Sequence, residues 1–194
     1  MPDSHIHSPA RGSARWSAIL TAGFLAGLAL LATGAAFART SAPNPLKPVS
    51  RDIYAGRWYE IARTPNTMQK DCQGPTTDFR DRGSAGFSVV ETCHRGSAQG
   101  VVKTVTAKAR IITPGDNTRF RLSYLGGLIH QDYWILDHAD DNGWLLMGTP
   151  GGNYIWLLSR RPALPNATLA AAVGRAGALG YPPTQLIYPT QAGG

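Results

Sequence analysis

The chain has 194 residues, with 19 Lys and Arg against 12 Asp and Glu, a net charge of +7, and 43% hydrophobic residues. That length leaves little room for two ordinary globular domains beside an export segment, so one domain is expected. No run of Lys and Arg with interleaved aromatics is present, so nucleic acid is not an expected partner. A basic surface is drawn to anionic membranes, or simply keeps a chain soluble.

Taken in chain order, residues 1–38 read as a signal peptide. Arg11 and Arg15 outweigh Asp3, residues 17–38 carry no charge, and Ala36-Phe37-Ala38 gives a small-x-small close before Arg39. The rival is an uncleaved membrane anchor, since the uncharged stretch is just long enough to span a bilayer. No cysteine lies near that end to carry a lipid anchor, as a lipobox would require. Residues 39–50, with Pro43, Pro45 and Pro48, form an extended leader. The domain itself is expected over 51–190.

From there the sequence reads as short strands separated by turn residues, at 57–63, 76–80, 87–94, 105–111, 119–122, 132–137, 144–148 and 153–160. The clearest has Val105, Ala107, Ala109 and Ile111 alternating with Thr106, Lys108 and Arg110, so one face looks inward and the other meets water. Pro114-Gly115-Asp116-Asn117 and the Asn142-Gly143 step read as hairpin connections. No connection has room for a crossover helix, so the strands run up and down. Such a meander removes its two exposed edges by closing on itself. Asn166 is the expected N-cap of a helix over 167–179 that stops at Gly180. Leu169, Val173 and Ala176 share a face suited to the outside of the barrel. Residues 185–188 read as a final short strand. The expected fold is all-β: an eight-stranded antiparallel up-and-down barrel with one C-terminal helix packed outside.

Catalytic patterns are missing: there is no Gly-x-Ser-x-Gly elbow, phosphate-cradling glycine loop or His-Glu-x-x-His. His94, His130 and His138 lack ligand spacing, and Asp137, Asp140 and Asp141 surround a turn, where Asp is ordinary. No catalytic residue, metal or cofactor is therefore expected. The chain's two cysteines, Cys72 and Cys93, form an even pair that in an exported protein reads first as a disulfide.

The run Gly56-Arg57-Trp58-Tyr59-Glu60-Ile61-Ala62-Arg63 resembles the first strand of the lipocalins, in particular their bacterial outer-membrane and apolipoprotein D branch. Gln131-Asp132-Tyr133-Trp134-Ile135-Leu136 is similar to that family's second motif, and Tyr154-Ile155-Trp156-Leu157-Leu158-Ser159-Arg160 to its third, in the expected order. The resemblance covers about residues 46–190 and implies that Trp58 and Arg160 close the barrel floor, with Gly56 letting the chain pass close by. A guanidinium stacked on an indole contributes roughly 0.5–2 kcal/mol. Similar bacterial proteins carry a cysteine pair at the places of Cys72 and Cys93. Folding the 76–80 and 87–94 hairpin about its turn also returns these two residues toward each other.

Counting inward from Arg160 by the strand period, Leu158 and Trp156 face the interior, with Trp156 roughly 13 Å above the floor. The same alternation turns Tyr133, Ile135, Phe120, Leu122, Val105, Ala107 and Ala109 inward. The small alanines are expected to leave room. By resemblance, Phe79, Tyr133 and Trp156 line the pocket; Phe79 stands where Tyr is common and Glu91 where Asn is frequent. These residues form the expected ligand site, with plain core packing as the alternative for each aromatic.

A long acyl chain suits such a space, since a dozen buried methylenes give on the order of 10 kcal/mol before the costs of binding. The expected function is carriage or storage of a small hydrophobic ligand, a fatty acid or lysophospholipid, for cell-envelope maintenance. The expected location is the periplasm, with association at the outer membrane. Three alternatives remain open: an enzyme on the same barrel using Cys72 or Glu91, a pigment or haem binder, and an external patch at Trp134 and Tyr59. Monomer and homodimer are both open.

Overall fold

The computed structural model describes residues 41–191. The expected export segment and the first residues of the leader lie outside the described residues. The strands are β1 (Gly56–Arg63), β2 (Cys72–Asp81), β3 (Phe87–Arg95), β4 (Val102–Ile111), β5 (Arg119–Tyr124), β6 (Ile129–His138), β7 (Trp144–Gly148) and β8 (Ile155–Ser159). They pair antiparallel in chain order, and β1 pairs with β8 to close the barrel. Away from the bulges in β1, β2 and β6, the strands alternate between the interior and the outer face, as the pleat requires. β2, β4 and β6 start earlier than the alternation suggests. In β2 the added residues include Gly74 and Pro75; a bulge between Gln73 and Thr76 absorbs them. Cys72 and Cys93 are joined by a disulfide between β2 and β3.

The leader runs along the barrel from the β7–β8 loop to the opposite end, which the turn that follows it shuts. Its backbone is tied to the barrel by Ala42 N–H to Pro150 O (2.7 Å), Leu46 N–H to Leu136 O (2.9 Å) and Val49 N–H to Asp116 O (2.8 Å). A 3-10 turn, Arg51–Tyr54, which the sequence reading did not anticipate, then drops Ile53 and Tyr54 into the barrel. The Tyr54 ring stacks on Phe87 at 4.8 Å and meets Phe79 and Phe120 edge-on at 5.9 and 5.3 Å. Offset and edge-to-face rings add to the area they bury. This end is therefore solid.

Beneath the plug, the Arg160 guanidinium lies 3.7 Å from the centre of the Trp58 ring. Trp58 Nε1 donates to Ile53 O at 2.9 Å, and Arg160 donates to the carbonyls of Asp52, Ala55 and Arg57. The pair thus links the first strand, the end of the last strand and the plug. Gly56 is needed for its backbone rather than for space: its φ is +69°, while an added Cβ would sit at an ordinary 3.5 Å from Arg160 Nη1. Replacing Arg160 by glutamine is expected to lower the unfolding free energy by about 1–2 kcal/mol, read from urea melts; an unchanged midpoint would refute this role.

Outside the barrel lies α1 (Asn166–Ala178). Asn166 is not its cap: Pro165 precedes the helix, and Asn166 is the first helical residue, with no side-chain capping bond. A proline there presets the chain direction without a capping oxygen. Gly180 ends the helix as expected, with φ +83°. Gly180 N–H bonds to Gly177 O (2.8 Å) and Tyr181 N–H to Ala176 O (2.9 Å), the pairing of a Schellman motif. Ala172 and Ala176 are buried against the wall, with Leu169 and Val173 beside them. Asp137, fully buried on β6, pairs with Arg175 and pins the helix to the sheet. The expected strand at 185–188 is reduced to a single bridge between Arg63 and Ile187, preceded by a 3-10 turn at Pro183–Gln185. Trp134 and Tyr59 are not a sticky external patch: both pack into the apolar layer around the helix, and Arg119 stacks on Trp134.

Candidate ligand cavity

The inward side chains divide along the barrel axis. Phe79, Ala107, Phe120, Leu122 and Ile135 all point inward, as the alternation implies, but they belong to the packed lower half and do not line the cavity. The room beside Ala107 and Ala109 is taken by the aromatic cluster that Tyr54 completes. Above that floor lies a cavity of about 250 Å³, small against the roughly 300–1,000 Å³ of sites enclosing drug-sized ligands. Leu158, Trp156, Tyr133, Val105 and Glu91 line it. Leu158 sits at its base, shared with the core, while Val105 is partly open at the far wall. A wider depression of about 440 Å³ lies between β5, β6 and the β7–β8 loop, but there Arg121 and Asp132 already satisfy each other.

The cavity contains polar groups that the sequence reading did not place there. In β1 the register against β8 slips between Glu60 and Ala62. This bulge sends Ile61 and Ala62 together to the outer apolar layer and returns Arg63 to the interior beside Glu60. The two form a buried ion pair. Arg63 also donates to Gln69 O (2.8 Å) and Cys72 O (3.3 Å). Gln69, on the loop above, donates to Glu60 Oε2 (2.8 Å) and accepts from Trp156 Nε1 (2.9 Å). The loop over the mouth is thereby bonded to both a buried charge and the cavity wall. Burial pushes the Glu60 carboxyl above its usual range, while Arg63 and Gln69 pull it back.

Glu91 differs from Glu60 in that its carboxyl group has no hydrogen-bond or ion-pair partner among the described residues. Burial, and secondarily the charge of Glu60, push its carboxyl up to about 7. The phenols of Tyr124 and Tyr133 are raised too, first by burial and then by the Glu91 charge they face. Among the described residues no three His, Cys, Asp or Glu come together as a metal site. Cys72, a nucleophile in the enzyme alternative, is held in the disulfide.

The mouth of the cavity is apolar. Exposed large hydrophobic side chains sit on or beside all four loops at this end: Met68, Val101, Leu125, Leu128, Ile129 and Tyr154. Met68 and Leu128 are 92% and 85% exposed, an arrangement with no core-packing purpose.

The sequence matches the family model described as a lipocalin-like domain over residues 49–191. It is 27% identical over 155 residues to the outer membrane lipoprotein Blc of Vibrio cholerae, covering 77% of this chain and 88% of that one. It is 25% identical over 155 residues to apolipoprotein D of Mus musculus, covering 75% and 79%. Among solved structures, insecticyanin from the tobacco hornworm Manduca sexta superposes with a TM-score of 0.62 at 16% identity, covering 80% of this chain and 88% of that one, a likeness of fold alone. Closed barrel, stacked Trp58 and Arg160, outer helix and family match agree, and the chain belongs to the lipocalin-like family.

Proposed function

We propose that the protein carries or stores a small hydrophobic ligand, a fatty acid or lysophospholipid, in the upper half of its barrel, and that it does so after export, at the envelope of its cell. The observation that carries this reading is the apolar mouth: a cavity lined by Trp156, Tyr133 and Leu158 opens between loops that expose Met68, Leu125 and Leu128. An apolar ligand leaving a membrane loses less free energy if its path stays out of water. Exposed apolar side chains on a basic protein favour contact with an anionic lipid surface along that path. Family membership supports a small hydrophobic ligand, and the name of the Vibrio cholerae relative places that protein at an outer membrane. No reacting group is required by this reading, and we propose none.

Titration of the purified protein with lysophospholipid or fatty acid is expected to change tryptophan emission saturably, with micromolar or tighter affinity, and Trp156→Phe is expected to remove most of the change. Constant emission together with native mass spectra free of lipid would overturn the proposal.

A further inference from the structure

Glu91 occupies an unusual position for a carboxylate. It lies on β3 in register with Thr77 of β2 and Val105 of β4. The layer below, Phe79–Val89–Ala107, is part of the packed floor. Glu91 is therefore the innermost side chain of its strand that lines the cavity, met at the base by a molecule that has passed Cys93. No hydrogen bond or ion pair joins its carboxyl group to any described residue. A half-buried carboxyl in a narrow cavity, with no partner, is costly to ionise, and a protein that retains one there leaves its charge for something else to meet. Around it stand Tyr124, Tyr133 and Trp156, the last two edge-to-face at 5.8 Å. A carboxylate beside several aromatic faces attracts an organic cation twice over, through its charge and through the ring quadrupoles.

From this arrangement we infer that the base of the cavity binds the ammonium group of an organic amine or quaternary amine with an apolar body, and disfavours a carboxylate at the same place. The inference rests on the carrier reading above and narrows it: of ligands with equal chains, the one ending in a cation fits this base. An apolar chain end pushed down to Glu91 would leave the carboxylate with neither water nor counter-charge, and a fatty-acid head would add a second negative charge beside it.

The charged and titratable groups that line the cavity with Glu91 are Glu60 from β1, Lys103 from β4, Tyr124 from β5, Tyr133 from β6 and Tyr154 from the β7–β8 loop; β2 presents Thr77 and β8 presents Trp156. Arg63 is engaged by Glu60. Lys103 pairs in register with Cys93, one layer toward the mouth, and is exposed there. Neither cation answers Glu91. Because Glu91 titrates near neutrality, affinity for a permanent cation rises between pH 5.5 and pH 8, as the carboxyl loses its proton.

The test uses dodecyltrimethylammonium, dodecanol and dodecanoate, each below its micellar concentration, with calorimetry on the wild-type protein and on Glu91→Gln. At pH 8 the wild type is expected to bind the ammonium at least about tenfold more tightly than the carboxylate, although the chain's net charge of +7 favours the anion. The preference is expected to shrink at pH 5.5 and to vanish in Glu91→Gln. Equal binding of both ions by the wild type, or a preference that survives in Glu91→Gln, overturns the inference and leaves the carrier reading standing. The pH series on the wild type needs no variant, so a poorly folding Glu91→Gln does not rescue the idea. If neither these probes nor lysophospholipid binds, both readings fall.

Discussion

Replacing Arg63 by methionine is expected to cost about 3–5 kcal/mol of stability at pH 8, because Glu60 is then left buried without its cation. The loss should be smaller at pH 5. Burial already raises the Glu60 carboxyl, and with Arg63 gone the folded state holds that proton still more tightly than the unfolded chain does. Stability then falls as pH rises from the unfolded carboxyl's range through the raised folded value. Part of the loss should persist at low pH, since Arg63 also holds the carbonyls of Gln69 and Cys72. The paired variant Glu60→Gln with Arg63→Met should recover much of the difference, because a neutral pair has no charge to strand. Urea unfolding of the three proteins at pH 5 and pH 8 tests this, and a loss below about 1 kcal/mol in the single variant at pH 8 would show the pair to be dispensable.

The second large effect has the opposite sign. Glu91→Gln is expected to stabilise the empty protein at pH 8. A carboxyl that titrates near 7 when folded and near 4.5 when free opposes folding by roughly 3 kcal/mol once both states are ionised. The sign follows from the order of titration: between pH 4.5 and 7 the unfolded chain has released this proton and the folded chain has not, so the wild type loses stability across that interval. Below it, wild type and variant should unfold alike. The gap between their denaturation midpoints should therefore open from pH 4 to pH 8. A gap independent of pH would mean that Glu91 is not held away from water. If the variant is also more stable and yet loses its preference for a cationic probe, the carboxylate is kept for binding at the expense of stability, as active and binding sites commonly require.

The barrel was legible because its strands alternate and its turns carry Gly, Asn and Asp where the chain reverses. The Val105 to Ile111 run and the Asn142-Gly143 step each specify a local structure that agrees with the closed meander. The cavity was legible only in part. Period two reveals which face a side chain takes but not how deep it lies, so Trp156 at the wall and Phe120 in the floor look alike in the sequence. What separates them is Tyr54, which enters from outside the strand meander and carries no periodic signal. Arg63 was missed for a different reason. Counting by twos from Trp58 sends Ala62 inward and Arg63 out, and the extra residue at the bulge reverses this. The exposed apolar loops follow no period at all, though hydrophobic residues such as Met68 and Leu128 in turn-like stretches, where polar ones are usual, were a sign available to be read.

The solid aromatic lower half also bears on how such a protein can change over time. The aromatic packing is concentrated at one pole of the barrel, where Tyr54, Phe79, Phe87 and Phe120 lock together, while the opposite pole holds most of the side chains a guest would touch. Substitutions of the exposed side chains around the entrance, such as Met68 and Leu128, can therefore redirect what is carried without jeopardising the architecture beneath, and descendants of one scaffold can part company in cargo long before they do so in shape.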